Sequence, residues 1–311
     1  MALHVPSGSG SKNRSFARFN RAAVPYYFLL PAAVLIGVFA AWPILRVFRY
    51  SVLHYNPTQP WLHGPAGLDN FIRIFTNDPL FVRAAMISLR WCLWQVALEL
   101  IFGMMFALVL NAKFVGRGVV RSLMFVPWAL SGVMVAILWM LIFHQNIGVL
   151  NHLLMNVLGV TSTPTAWLAN VNTAFGAVVT AEVWRGIPFF AISLLAAMQN
   201  IGAELYESCD IDGGGRLAKF WYIILPFLRD TIVLTTILRF IWAFNAVDLI
   251  FVLTGGGPMA LTTTLSMYLA DMAIRWQNFG YGSAIGVVVF MFMLVSSIIY
   301  IKASGFGKGL E

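Results

Sequence analysis

Ala174-Phe-Gly-Ala-Val-Val-Thr-Ala-Glu182-Val-Trp-Arg185-Gly-Ile-Pro188-Phe-Phe-Ala-Ile-Ser-Leu-Leu-Ala-Ala-Met198 is a run of twenty-five residues that holds a single acid and a single base. A helix rising about 1.5 Å per residue needs about 20 apolar residues to cross a hydrocarbon layer of roughly 30 Å. This run is long enough. Working outward from it, five more stretches qualify: Val24–Leu45, Trp91–Asn111, Met124–Phe143, Asp230–Thr254 and Ser283–Ile301. No part of the chain repeats the short alternating apolar and polar segments of a lipid-exposed barrel. The pattern predicts an all-α membrane protein with six transmembrane helices.

Composition agrees. Of 311 residues, 60% are hydrophobic and 10% charged, with a mean hydropathy of +0.81. Soluble domains carry roughly 25% charged residues, so this chain has too little polar surface to face water. Soluble two-domain enzymes, disulfide-rich secreted modules and disordered regulators are excluded together. The formal net charge of +8 does not mark a nucleic-acid partner, because the cations are spread in short groups between apolar runs rather than gathered on one face.

Those groups set the orientation. Lys12, Arg14, Arg18 and Arg21 precede the first span. Lys113, Arg117 and Arg121 follow the second, Arg216, Lys219 and Arg229 follow the fourth, and Lys302 and Lys308 close the chain. The opposite side has Arg46, Arg49, Arg73, Arg83 and Arg90 in a long first loop, and Arg275 in the last. The positive-inside rule places both termini in the cytoplasm of a multi-pass protein. Residues 1–23 read as a disordered basic cytoplasmic tail, 24–303 as the six-helix domain, and 304–311 as a cytoplasmic C-terminal tail. The first apolar run is too long for a typical signal peptide and has no small-residue cleavage site after it, so it reads as a retained helix. Cys92 and Cys209 fall too far apart to pair, and neither has histidines at metal-ligand spacing. No phosphate-binding glycine loop is present. No metal or cofactor is expected on this chain; ATP, if used, is held by another.

The loop from 201 to 226 is the most informative segment. It runs Ile201-Gly-Ala-Glu204-Leu-Tyr-Glu207-Ser-Cys-Asp210-Ile-Asp212-Gly213-Gly214-Gly215-Arg216, then Phe220-Trp-Tyr-Ile223-Ile-Leu225-Pro226. Ala203 to Ile211 reads as a short helix with Glu204, Glu207 and Asp210 on one face. Asp212-Gly213-Gly214 stops it, since glycine reaches left-handed backbone angles at little cost. On the residues alone this is either a solvated acidic turn or a small lever lying across the end of a bundle.

The segment resembles the EAA loop of bacterial ABC importer permeases, through Glu207, Asp212, Gly213, Ile223, Leu225 and Pro226 at the expected spacing. Ser208, Cys209 and Gly214 stand where that pattern has alanines, and the last is expected to loosen the hinge. Glu204-Leu205-Tyr206 is similar to the carbohydrate branch, the maltose-type and glycerol-phosphate-type permeases. So are Gly67-Leu68-Asp69-Asn70-Phe71, Trp184-Arg185-Gly186-Ile187-Pro188-Phe189 and Leu253-Thr254-Gly255-Gly256-Gly257-Pro258. The resemblance covers nearly the whole chain. It implies a translocation subunit of the bacterial inner membrane, with no enzymatic activity of its own. Its implied partners are a second homologous permease, two cytoplasmic subunits that bind ATP and Mg, and an external solute-binding protein. Glu204, Glu207, Asp210, Asp212, Gly213 and Gly214 would couple it to the ATPase. The solute would be a sugar passed by alternating access.

Ionised side chains at membrane depth are costly and therefore informative. They are Glu99, Glu182, Arg185, Arg239 and Asp248. Glu182 and Arg185 can neutralise each other at i, i+3; Arg239 can be matched by Asp248 or by an acid on a partner; Glu99 can pair across a dimer. The resemblance instead places solute contacts on Glu182, Arg185, Gly186 and Phe189 and on Arg239, Trp242, Ala243, Asn245 and Ala246. Two arginines there raise an acidic sugar, a glycerate conjugate or a phosphorylated polyol beside a neutral sugar. Pro127 and Pro188 are expected to kink their helices. From a different class, a self-sufficient secondary transporter would need pseudo-symmetric halves and coupling carboxylates. No such repeat is evident.

Overall fold

The computed structural model describes residues 26–305; the expected tails at 1–23 and beyond 305 lie outside the described residues. Within them the chain is mostly helical. The long helices are α1 (Tyr26–Ser51), α3 (Pro79–Asn111), α6 (Ala174–Met198) and α11 (Phe279–Ser304), all long and apolar enough to cross a membrane. Between them lie α2 (Asp69–Thr76), α4 (Arg117–Ala129), α5 (Gly132–Ile142), α7 (Ala203–Ile211), α8 (Leu225–Asn245), α9 (Asp248–Leu253) and α10 (Leu265–Ala270). One two-residue antiparallel ladder, Leu53–His54 with Gly64–Pro65, departs from the all-α expectation. It closes the loop after α1, where Gly67 takes a left-handed φ of 52°. The buried Asn70 amide donates to the carbonyls of Ser51 and Leu53 at 3.0 and 3.1 Å, which accounts for the Gly67-to-Phe71 motif.

Three predicted spans are corrected. The second begins twelve residues before Trp91: Pro79 sits in the first turn of α3, and the Asp78 carboxylate caps it by accepting from the Phe81 amide at 2.9 Å. Arg83 and Arg90 are therefore on α3, as Arg46 and Arg49 are on α1, not in a loop. The third is not one helix: α4 and α5 meet at 99°. Leu130 and Ser131 are extended, and Ser131 Oγ restarts the helix by accepting from Met134 N at 3.3 Å. A Cβ on Gly132 would overlap the Asp248 carboxylate, which thus lies at the positive end of α5. The fifth breaks at Ala246, whose ψ of 116° separates α8 from α9. Pro188, by contrast, is carried inside an uninterrupted α6.

Pairwise contacts fix the helix directions. Arg90 lies over the Phe175 ring at 4.8 Å, Gln95 reaches Glu182, and a Cβ on Gly103 would overlap Phe190, so α3 and α6 run parallel in close contact. Trp91 Nε1 donates to the Ala243 carbonyl at 3.0 Å while Glu99 meets Arg239, so α8 runs antiparallel to both. Gly280 N bonds Tyr55 O at one end of the bundle, and Arg229 meets the Ser304 carbonyl at the other. The loop after α1 and the short helix α7 are therefore at opposite ends. Trp91, Phe190, Leu194, Leu228, Phe244 and Tyr281 fill the space between helices. The outer faces, including nearly all of α1, present exposed Phe, Leu, Ile and Val, as an apolar solvent requires.

Candidate functional site

The charges at membrane depth converge on one point among α3, α6 and α8. Arg239 donates through Nη2 to Glu99 Oε1 at 2.6 Å and through Nε to Glu99 Oε2, and its Nη2 also reaches Glu182 Oε1 at 3.0 Å. Arg185, one turn along from Glu182, donates to that same carboxylate from Nη2 at 2.6 Å and Nε at 3.0 Å. Gln95 Nε2 adds a longer contact of 3.4 Å. Both acids are fully buried and Arg239 is 4% exposed. Each carboxylate thus faces a guanidinium in forked geometry, which is how such groups tolerate removal from water. With two acids and two arginines the cluster is neutral.

Arg239 is consequently matched by Glu99 and Glu182, not by Asp248, which stands exposed at the start of α9. Glu99 pairs within the chain. Gly186 belongs to this arrangement in a particular way: a Cβ there would overlap the Glu99 carboxylate and the Arg239 guanidinium. Sequence reasoning missed Glu99 and Gln95 as members. The available signal was their i, i+4 spacing, which sets two polar side chains on one stripe of an apolar helix.

The other candidate path residues divide. Ala243 is buried, with its carbonyl taken by Trp91. On the accessible side Arg185 keeps 20% of its side chain exposed. Phe189 stands one turn further along α6, its ring 5.0 Å from that of Trp242, which is 43% exposed. Asn245 is exposed at the end of α8, its amide donating to Ile241 O at 2.8 Å, and Ala246 is half-buried at the break. Arg185, Phe189, Trp242, Asn245 and Ala246 therefore line one edge, backed by the buried Glu99, Glu182 and Arg239. A guanidinium, an amide and two aromatic faces can hydrogen-bond vicinal hydroxyls and cover an apolar ring face. Among the described residues no group of His, Cys, Asp or Glu could hold a metal ion.

The second candidate site is α7. Glu204, Leu205, Glu207 and Ile211 are exposed, whereas Tyr206 and Cys209 face inward. Asp210 does not join the free acids, because Lys219 holds it at 2.6 Å. The stop is a Schellman pair: Gly214 N bonds Cys209 O at 2.7 Å and Gly213 N bonds Asp210 O at 3.1 Å, with Gly213 at a φ of 77°. The missing Cβ of Gly214 leaves the space that Cys209 Sγ occupies, so the two departures from alanine partly compensate each other, and the Cys209 carbonyl, 2.9 Å from where that Cβ would sit, crowds the position further.

Residues 99–302 match the family described as binding-protein-dependent transport system inner membrane component. The chain is similar to the trehalose/maltose transport system permease protein MalF of Thermococcus litoralis, 35% identical over 94% of this chain and 97% of that one. It is 32% identical to the sulfoquinovosyl glycerol transport system permease protein SmoG of Agrobacterium fabrum over 88% of each. In fold it aligns with a chain of a bacterial ABC transporter involved in the import of the acidic polysaccharide alginate. The TM-score is 0.80 at 22% identity, covering 95% of this chain and 99% of that one. The chain thus belongs to the inner membrane components of binding-protein-dependent transport systems, and is a non-catalytic permease subunit of an ABC importer.

Proposed function

We propose that this permease imports a neutral sugar, in a bundle that crosses the membrane six times with both termini and α7 on the cytoplasmic side. The bent α4–α5 pair and the broken α8–α9 pair are the spans that complete the six. Residues 24–303 form the translocating unit, flanked by the tails. Ala203–Ile211 is the coupling helix: Leu205 and Ile211, with Glu204 and Glu207, offer an exposed apolar and acidic surface to an ATPase subunit. Two such subunits carry ATP and Mg, a second homologous permease completes the pathway as a heterodimer, and an external binding protein delivers solute. ATP-driven approach of the ATPases moves the permeases between inward-facing and outward-facing states.

One observation carries the solute class: the path edge of Arg185, Phe189, Trp242 and Asn245 is backed by a charge cluster that sums to zero. Each arginine is already spent on a carboxylate. No net positive charge is left to capture an anion, so the two arginines no longer argue for an acidic sugar. Similarity to a trehalose/maltose permease supports the same class.

The test is uptake by the reconstituted assembly, with trehalose and maltose as probes. ATP-dependent accumulation should fall at least about tenfold in Trp242→Ala, which removes the ring face offered to the sugar. A cysteine placed at Gly213 should crosslink to an ATPase subunit. Failure to accumulate either sugar refutes the solute class; uptake by the lone chain without ATP refutes the coupled mechanism.

A further inference from the structure

We propose that Glu99 sets the charge selectivity of the solute path without touching the solute. The inference rests on the reading of Arg185, Phe189 and Trp242 as that path. Glu182 Oε1 already serves three donors: Arg185 at 2.6 Å, Arg239 at 3.0 Å and Gln95 at 3.4 Å. It cannot neutralise both guanidinium groups. Glu99 resolves this by gripping Arg239 with both carboxylate oxygens from a third helix, which leaves Glu182 free to hold Arg185. Arg185 is the only member of the cluster that reaches the accessible edge; Glu99 and Glu182 are sealed and Arg239 nearly so.

The charge seen by a solute at that edge is therefore the sum over the cluster. Removing the charge of Glu99 leaves one uncompensated cation shared between Arg185 and Arg239, in a setting where water screens weakly. An anionic sugar then gains what a neutral one does not. Glu99 is a positioning residue for Arg185 and a specificity determinant at one remove. Gly186 is part of the device, because no side chain fits between Glu99 and Arg239.

The experiment is saturation-transfer NMR on the full chain in lipid nanodiscs, titrated with methyl glucoside and methyl glucuronide, which differ by one carboxylate. Glu99→Gln should raise the glucuronide-to-glucoside affinity ratio at least about tenfold, the scale at which a charge mismatch decides between partners. Glu99→Asp should keep the ratio near that of the parent. Glu99→Met with Arg239→Met, which removes one charge of each sign, should keep it too. Arg239→Met alone leaves the cluster one charge negative and should move the ratio the opposite way; it also serves where Glu99→Gln does not fold.

A merely structural Glu99 would alter stability and leave the ratio unmoved. An unmoved ratio in folded Glu99→Gln or Arg239→Met, while the parent binds glucoside, overturns the role of Glu99 alone. Absence of binding of either probe to the parent overturns the sugar path itself.

Discussion

Gly186→Ala is the smallest perturbation that tests whether the buried cluster is assembled as described. The added methyl would occupy space held by the Glu99 carboxylate and the Arg239 guanidinium, neither of which has room to retreat among α3, α6 and α8. Overpacking a filled interior costs about 1–3 kcal/mol. If the carboxylate is displaced, the loss approaches the roughly 3–5 kcal/mol of a broken buried pair. Gly176→Ala on the same helix is the control, because a Cβ there meets nothing within 4 Å. It should instead gain up to about 0.5–1 kcal/mol from the backbone entropy that glycine loses. The two alanines should therefore differ by about 1.5–4 kcal/mol, or roughly 3–16 °C at about 2–4 °C per kcal/mol. The assay is the thermal unfolding midpoint of the purified chain in detergent, scanned at one rate so that irreversible loss is compared like for like. If Gly186→Ala unfolds at or above the temperature of Gly176→Ala, the carboxylate is not where the geometry puts it, and the charge balance argued from it fails.

The turn after α7 gives a second test. Gly214→Ala should overlap Cys209 Sγ and loosen the turn by about 1–3 kcal/mol. Cys209→Ala with Gly214→Ala should recover the part due to Sγ but not the crowding by the Cys209 carbonyl, 2.9 Å from the added Cβ, with a coupling of about 0.5–3 kcal/mol read from amide hydrogen exchange across 203–215. Additive effects would refute the compensation. At the other end of the bundle, burial pushes the Asp78 carboxyl up, but hydrogen bonds from Tyr268, Tyr281 and the Phe81 and Leu80 amides outweigh it and hold it below the ordinary carboxylate range. A depressed folded value means stability that is present at neutral pH and lost as pH falls through the acid range. Asp78→Asn should lower the unfolding midpoint at pH 7 and flatten its decline toward about pH 3. An unchanged decline would assign the acid loss to other carboxylates.

How far the sequence could be read depends on the range of the interactions that decide each feature. Ala174–Met198 is the same helix in sequence and structure, since length and hydropathy are local. Ala203–Ile211 is too, because its stop lies in Gly213 and Gly214 themselves. The early start of α3 was legible in Asp78-Pro79, an N-cap followed by the residue that suits the first turn, but it precedes the continuous apolar run from Trp91. The 99° break at Leu130–Ser131 was not. Hydropathy is continuous across it, and what shapes it is partly Asp248, more than a hundred residues away in sequence. The charge cluster failed for the same reason. The i, i+3 pair of Glu182 with Arg185 is local and was foreseen; the partner of Arg239 depends on α3 running antiparallel to α8, and that direction is a tertiary fact.

Those directions also join the two candidate sites. The segment from 199 to 224 is the only covalent link between α6 and α8, so α7 sits at the turn between the helix that carries Glu182, Arg185 and Phe189 and the helix that carries Arg239 and Trp242. A displacement of α7 by an ATPase would pull on both. Whether they then move apart or together is decided by what ties them: Arg239 binds Glu182 across the pair, and Glu99 anchors the same guanidinium to α3. Separating these helices would strand buried charge, at a cost of several kcal/mol per ion, whereas moving them as one body leaves every pair intact. On the proposed reading the cluster therefore makes α3, α6 and α8 a rigid unit. Alternating access must come from sliding this unit against the other helices or the second permease, with the Phe189–Trp242 edge carried along intact. That is also why a self-sufficient carrier, which has to break and remake carboxylate contacts to couple an ion, is a poor description of this bundle, and why its place in a binding-protein-dependent system agrees with its chemistry.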